Sequence, residues 1–162
     1  MKPLGRHREP EDADSFSLLY ASEYPAMVRV AALLVGSASL AEEVVQEAAI
    51  AVRERWESLE RPGAYFRTTV VNGCAAALRR REIERRFVGQ DVTHPETQVL
   101  SEDLLDLQNA LSALTERQRT VVVLRYFVDV HDDEIAALMN IQPSTVRSLT
   151  RRALASLRKE LE

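Results

Sequence analysis

The chain has 162 residues, of which 46% are hydrophobic and 28% are charged, and its formal net charge is -4. This composition excludes a disordered chain and predicts one ordinary domain or two small ones. The single cysteine, Cys74, excludes an intrachain disulfide and a cysteine-rich metal site. The stretch MKPLGRHREPEDADS lacks the apolar segment of a signal peptide, and no run approaches the roughly 18 to 20 uninterrupted apolar residues of a membrane span, so we expect a cytoplasmic protein.

Apolar residues recur at spacings of three and four in nearly every long segment, and no strand alternation persists. This pattern predicts an all-α fold. The first helix is expected to have Asp14 or Ser15 as its cap and to end at Gly36. Pro25 lies within it and predicts a bend or a restart.

Two further helices complete the first predicted domain, which spans residues 12–88. The second helix is predicted to begin after Ser37 and to end at Trp56. The sequence Arg61-Pro62-Gly63 breaks the chain, and Pro62 suits the first turn of a third helix that ends in the basic run RRREIERRF.

The stretch VGQDVTHPETQVL has no helical period and contains Gly89 and Pro95. It predicts a flexible linker over residues 89–101, between two separately folding units. The second domain, residues 102–162, is predicted to hold four helices, at about 102–114, 116–127, 132–139 and 144–161.

The segment DVHDDEIAALMNIQPSTVRSLTRRAL has the pattern of a helix-turn-helix. Asp132 is a candidate cap for its short first helix, and Asn140 suits a left-handed turn. Pro143 then begins the second helix. The predicted buried stripe of that helix consists of Val146, Leu149 or Thr150, Ala153, Leu154 and Leu157.

The outward face of this last helix is polar and basic, although the whole chain is acidic. Acidic residues gather in SEDLLD and HDDE, and a local positive face can persist because the field follows local charge within a Debye length of about 8 Å. The first half of a recognition helix reaches bases and phosphates in the major groove. The candidates for this role are Ser144, Thr145, Arg147, Ser148, Arg151 and Arg152. The alternative is a helical hairpin with a solvated basic face.

Two long segments, FSLLYASEYPAMVRV…CAAALRRR and ALTERQRT…LRKEL, closely resemble conserved regions 2 and 4 of extracytoplasmic-function (ECF) sigma factors, in the family's order. The resemblance covers roughly residues 15–87 and 104–161. It implies a protein that binds core RNA polymerase, through the β′ clamp helices and the β flap, and directs it to promoter DNA. Region 2 would recognise and melt the -10 element, and region 4 would read the -35 element. An anti-sigma factor is a further candidate partner, and no cofactor, metal or catalytic activity is expected.

The resemblance also implies roles for particular residues. AEEVVQEA matches the segment that docks on the β′ clamp helices, which assigns Glu43, Gln46 and Glu47 to that contact. Independently, these three lie at helical spacing on one face and could pair with an arginine-bearing helix. A merely solvated face is the alternative.

RPGAYFRTTVVNGCAAALRRR matches the part of region 2 that handles the -10 strand. Holding unstacked bases requires a basic surface with aromatic or amide groups near it. The candidates are Trp56, Arg67, Asn72, Arg79, Arg80 and Arg81. Core packing is the stronger interpretation for three aromatic residues, Trp56, Tyr65 and Phe66, because aromatic residues at this spacing more often belong to a core.

The recognition helix departs from the family pattern, because Ser148-Leu149-Thr150 stands where relatives often have Ser-Arg-Leu. We expect Leu149 to join the buried stripe and Thr150 to turn outward, so the -35 contacts cannot be copied from the family.

Two other functions compete with this interpretation. One is a stand-alone DNA-binding regulator whose first domain senses a ligand or partner, while its last four helices bind an operator unaided. The other is an enzyme using residues 131–134 (HDDE) as a metal cluster, but consecutive residues at a helix start point in different directions.

Overall fold

The computed structural model describes residues 10–88 and 101–161. Within them the prediction of an all-α fold is confirmed, and a four-helix second half contains the helix-turn-helix. Residues 89–100 of the predicted linker lie outside the described residues. The helices are α1 (Pro10–Val35), α2 (Ala38–Arg55), α3 (Pro62–Val88), α4 (Glu102–Ser112), α5 (Glu116–Phe127), α6 (Asp132–Met139) and α7 (Pro143–Leu161), with a 3-10 turn at Trp56–Ser58.

Helix α1 starts earlier than predicted, at Pro10, and continues through Pro25 without interruption. A proline suits the first position of a helix, where its missing N–H group would have no helical partner. Pro25 is exposed, so the carbonyl that loses its backbone hydrogen bond can be solvated. The predicted restart at Pro25 is therefore wrong.

The second half of α1 is the centre of the hydrophobic core. Every residue from Val30 to Val35 is buried, which is possible for a helix only when neighbours surround it. Helices α2 and α3 pack against it, and so do α4 and α5. The stretch Ser15–Val35 is long and apolar enough to cross a membrane, with a mean hydropathy of 1.3. Within this stretch 39% of the most apolar window is buried, so burial accounts for its second half, from Val30 to Val35.

Helices α2 and α3 pack closely enough that one contact requires glycine. Ser37 caps α2 by accepting a hydrogen bond from the Leu40 amide, as its predicted start required. A Cβ added at Gly73 of α3 would lie 2.8 Å from Cγ1 of Val44 on α2. The neighbouring Cys74 is buried, and burial raises the pKa of its thiol to about 12.

In the second half, α7 packs against both α5 and α6. Thr115 and Gln118 form a capping box at the start of α5. Asn140 adopts the predicted left-handed conformation, at φ 54° and ψ 49°, between α6 and α7. The prediction for Asp132 is wrong: His131 occupies the cap position of α6, and Asp132 accepts a 2.5 Å hydrogen bond from Arg125.

The two halves of the chain contact each other directly. Gly36 ends α1 at φ 74°, and a Cβ there would lie 2.4 Å from Nε2 of Gln108 on α4. Arg67 of α3 also forms an ion pair with Glu134 of α6. Separate folding of residues 12–88 and 102–162 stays a prediction.

We expect Gly73→Ala to destabilise the protein by up to about 2 kcal/mol. The added methyl group overpacks the helix contact, which typically costs about 1 to 3 kcal/mol, while alanine's helix propensity returns about 1 kcal/mol. In a Val44→Ala background the clash is absent, so the same change should be neutral or stabilising. Urea unfolding followed by circular dichroism measures both free energies. Equal destabilisation in both backgrounds would contradict the close approach as the cause.

Candidate promoter and polymerase interfaces

The recognition helix α7 separates an apolar face from a basic one. Val146, Thr150 and Ala153 are buried against α5 and α6. Four of the predicted -35 residues are exposed and two are half-buried. The exposed ones are Ser144, Arg147, Arg151 and Arg152, and the half-buried ones are Thr145 and Ser148.

The position of Thr150 corrects the prediction that it turns outward. Its side chain is buried and its hydroxyl donates a 2.9 Å hydrogen bond to the Val146 carbonyl. This bond satisfies the polar group inside the helix packing, so a threonine can occupy a core position. Leu149 is half-buried beside it, and Leu154, predicted to be in the buried stripe, is exposed.

A basic groove between α5 and α7 was not predicted. Its volume is about 430 Å³, and Arg125, Tyr126, Arg147, Arg151 and Arg158 contribute to its lining. Tyr126 is exposed, with the Arg125 guanidinium 5.9 Å from its ring centre. The sequence signal was the pair Arg125-Tyr126 directly after the buried run Thr120–Leu124, which places both residues where α5 emerges from the core.

On α3, the structure divides the predicted -10 residues into two groups. Asn72, Arg79 and Arg80 are exposed, and Asn72 and Arg79 lie seven residues apart on the same side of the helix. Within the described residues Arg79 and Arg80 form no ion pair. Arg81 turns inward and donates a 3.1 Å hydrogen bond to the Val35 carbonyl at the end of α1. It therefore stabilises the last turn of α1 in this structure.

Arg67 is held by two carboxylates and is mostly buried. Its Nη2 and Nε atoms donate hydrogen bonds of 2.6 and 3.0 Å to Oε1 of Glu134. Its Nη1 atom lies 3.2 Å from Oε1 of Glu23 on α1. Neither carboxylate was predicted to pair with Arg67, because residues 44 and 67 positions away leave no local pattern.

The aromatic candidates are packed, as their stronger interpretation required. Phe66 is 2% exposed and belongs to the core. Trp56 is half-buried, with its ring edge against Phe16 at a centroid distance of 5.6 Å. Tyr65 is half-buried, and the Arg55 guanidinium lies 5.9 Å from its ring centre.

The predicted polymerase-binding residues share an exposed face of α2. Glu43, Gln46 and Glu47 all face solvent, while Val44, Val45 and Ala48 between them are buried. Beside Gln46 lies an apolar groove with exposed Ile50 at its edge. Two carboxylates, an amide and an adjacent apolar groove could bind a helix that carries both basic and apolar side chains.

The residues of the alternative enzyme interpretation do not converge in this structure. Asp132 pairs with Arg125 and Glu134 pairs with Arg67, while His131 and Asp133 are exposed. Among the described residues no group of three or more histidine, cysteine or acidic side chains could hold a metal ion.

Two family models match the chain, and they match its two halves. Residues 19–83 match Sigma-70 region 2, and residues 104–157 match Sigma-70, region 4. The second match covers the helix-turn-helix, and the first covers α2 and most of α1 and α3.

Curated relatives extend the match across the linker. The RNA polymerase sigma-E factor of Streptomyces coelicolor is 33% identical over 141 residues, which cover 84% of this chain and 80% of the relative. That of Streptomyces avermitilis is 32% identical over 142 residues, covering 85% and 79%. The sigma-E factor of Streptomyces antibioticus is 30% identical over 152 residues, covering 91% and 84%.

Solved structures share the fold. The sigma factor RpoE, in a co-crystal with the anti-sigma factor NepR from Bartonella quintana, is 24% identical and has a TM-score of 0.77, over 91% of this chain and 97% of that one. CnrH, in complex with the cytosolic domain of CnrY, is 21% identical with a TM-score of 0.71, over 92% and 88%.

Proposed function

We propose that this chain, which belongs to the ECF group of the sigma-70 family and is a promoter-specific transcription initiation factor, binds polymerase with α2 and handles promoter DNA with α3 and α7. The observation that carries this assignment is the exposure of three polar faces, one on each helix, opposite residues that are buried in the core. We assign residues 12–88 to the first domain and 102–162 to the second, which the matches at 19–83 and 104–157 support.

The contact with core RNA polymerase is assigned to Glu43, Gln46 and Glu47. Exposed carboxylates on a rigid helix can form charge-assisted hydrogen bonds with arginines of the β′ clamp helices without any rearrangement of the core. We assign a second contact, with the β flap, to the 102–162 half.

Melting at the -10 element is assigned to the exposed side of α3. Asn72 can donate and accept hydrogen bonds at the edge of an unstacked base, while Arg79 and Arg80 neutralise the phosphates of the same strand. Trp56, Arg67 and Arg81 are also assigned to this region, but each is engaged within the protein in this structure. We therefore assign the first contact with the separated strand to Asn72, Arg79 and Arg80.

Reading of the -35 element is assigned to the first half of α7. Arg147 and Arg151 lie one turn apart on the exposed face, at the end of the helix that enters the major groove in helix-turn-helix proteins. A guanidinium can bind the two acceptors of a guanine edge at once, whereas Ser144 and Thr145 suit phosphate contacts.

We propose that the chain itself performs no covalent step and acts in the cytoplasm, where polymerase and promoters are found. Melting then draws on the binding energy of bases and phosphates rather than on a nucleophile, and the one thiol is buried and protonated. An anti-sigma factor is a further proposed partner, since RpoE was crystallised with the anti-sigma factor NepR.

Reversing the charge of Glu43 and Glu47 together should weaken binding to core polymerase by about tenfold or more, because close charge pairs at interfaces typically couple by more than 1 kcal/mol. Both side chains are exposed, so the free energy of unfolding should change by less than about 0.5 kcal/mol per site. Glu54→Arg with Glu57→Arg makes the same charge change at exposed positions nearby and serves as the control. Affinity can be measured by fluorescence anisotropy with labelled protein, and equal losses in both double variants would contradict a specific contact.

Arg147→Ala should reduce promoter occupancy by the holoenzyme, with a loss of about 1 to 3 kcal/mol and a relaxed preference at one -35 position. Lys159→Ala removes a positive charge from an exposed position near the other end of α7 and should have a small, sequence-independent effect. Promoters selected from a random library by each holoenzyme provide the readout. An unchanged -35 consensus with Arg147→Ala would remove the base-reading assignment.

Asn72→Ala should leave occupancy nearly intact and impair melting, because the lost amide contacts the strand only after its bases unstack. Permanganate reactivity of thymines in the open bubble measures this step. Asn109→Ala, at an exposed position on α4, is the matched control. Normal reactivity with Asn72→Ala, on a promoter where Arg147→Ala abolishes occupancy, would show that Asn72 has no part in melting.

A further inference from the structure

The Arg67 guanidinium joins the two halves of the molecule. Glu23 lies in the same half as Arg67, on α1, whereas Glu134 belongs to the first turn of α6 in the helix-turn-helix. The Arg67 side chain is 17% exposed and the Glu134 side chain 25%, so solvent screens this pair less than a surface ion pair. Arg67 is assigned to DNA, yet two of its five guanidinium N–H groups donate hydrogen bonds to Glu134 in the opposite half of the protein.

A cleft of about 1020 Å³ lies beside this ion pair. On one side it is lined by Arg61, Ala64 and Thr68 from the start of α3. On the other side it is lined by residues 129–134 and by Arg147 of the recognition helix. The start of the segment assigned to the -10 strand and a residue assigned to the -35 element thus border the same cleft.

This arrangement cannot read a promoter. The -35 and -10 elements are separated by about 25 base pairs, or roughly 85 Å of double helix at 3.4 Å per base pair. Two surfaces that border one cleft cannot contact both elements at once. The halves must separate before they read both elements.

We propose that the contact between α3 and α6 is an autoinhibitory latch, in which Glu134 occupies the Arg67 guanidinium in place of promoter DNA. Glu23 orients the guanidinium from its own half, and the acidic first turn of α6 faces the start of α3 across the cleft. Opening exchanges the Glu134 carboxylate for a phosphate or base. The DNA part of this inference rests on the proposed function of Arg67, whereas the latch itself does not.

Asp133 provides a matched control for Glu134. It borders the same cleft and carries the same charge, but it is exposed and forms no ion pair or side-chain hydrogen bond among the described residues. Glu134→Gln and Asp133→Asn therefore change the net charge equally and relieve long-range repulsion of DNA to a similar extent. The difference between the two variants isolates the latch.

Opening can be measured as a distance between spin labels on the two halves, in the full chain without polymerase. Ser58→Cys and Ser112→Cys place labels at exposed positions, one on each half. The native Cys74 thiol stays protonated and unlabelled because burial raises its pKa to about 12. We expect Glu134→Gln to add a longer-distance population, with an open-to-closed ratio about tenfold above that of Asp133→Asn, which is the typical effect of losing a hydrogen bond to a charged group. Identical distance distributions in the two variants would overturn the latch.

Autoinhibition is measured with a fluorescent single-stranded oligonucleotide of mixed sequence, titrated with the free protein. Glu134→Gln should bind it several-fold more tightly than Asp133→Asn, and circular dichroism of both variants confirms that they are folded. If the longer distance appears without any gain in binding over Asp133→Asn, the contact is structural and the autoinhibitory inference is wrong. Failure of the assignment of Arg67 to the -10 strand has a different signature: normal permanganate reactivity in a holoenzyme carrying Arg67→Ala.

Discussion

The burial of the second half of α1 is the constraint on which the rest of the structure depends. Residues Val30 to Val35 are buried on all sides, so this helix must be covered both by α2 and α3 and by α4 and α5. The same helix therefore supports the face of α2 proposed to bind polymerase, the face of α3 proposed to bind DNA, and the contact between the halves. Separating the halves exposes part of this apolar surface to water, at a free-energy cost of roughly 25 cal/mol for each Å². The binding free energy of a partner that holds the halves apart must offset this cost.

Helix positions could be predicted because they depend on local periodicity. The start of α2 at Ser37 and the left-handed Asn140 follow from residue type alone and are confirmed. Two predictions failed where a side-chain hydrogen bond overrode what the residue type suggested. Asp132 is a residue type that often caps helices. Its carboxylate accepts a hydrogen bond from Arg125, and His131 occupies the cap position. Thr150 looked polar enough to turn outward, yet one hydrogen bond to its own helix allows it to be buried.

The same distinction applies to the candidate interfaces. Exposure of Glu43, Asn72 and Arg147 follows from the helical period, because each lies opposite buried residues on its own helix. The engagement of Arg67 could not be predicted, since it requires knowing how the two halves pack. The sequence does show that acidic residues gather at the start of α6, and the structure shows where that charge is directed. An acidic cluster in a DNA-binding protein can thus serve to cover a basic surface of the same chain.

The order of binding follows from which faces remain accessible when the halves are in contact. Glu43, Gln46 and Glu47 are exposed in the closed arrangement, so polymerase can contact α2 without any opening. A partner that contacts α2 alone has equal affinity for the closed and open forms, and such a partner cannot shift the equilibrium between them. Opening therefore requires polymerase to make a second contact, with the α4–α7 half, that is available only in the open form. Once both halves are held, the two DNA contacts act as linked sites at a high effective concentration, and individually weak contacts suffice for promoter binding. We expect a chain with net charge -4 to bind DNA weakly on its own, and weak binding leaves the chain free to find polymerase first.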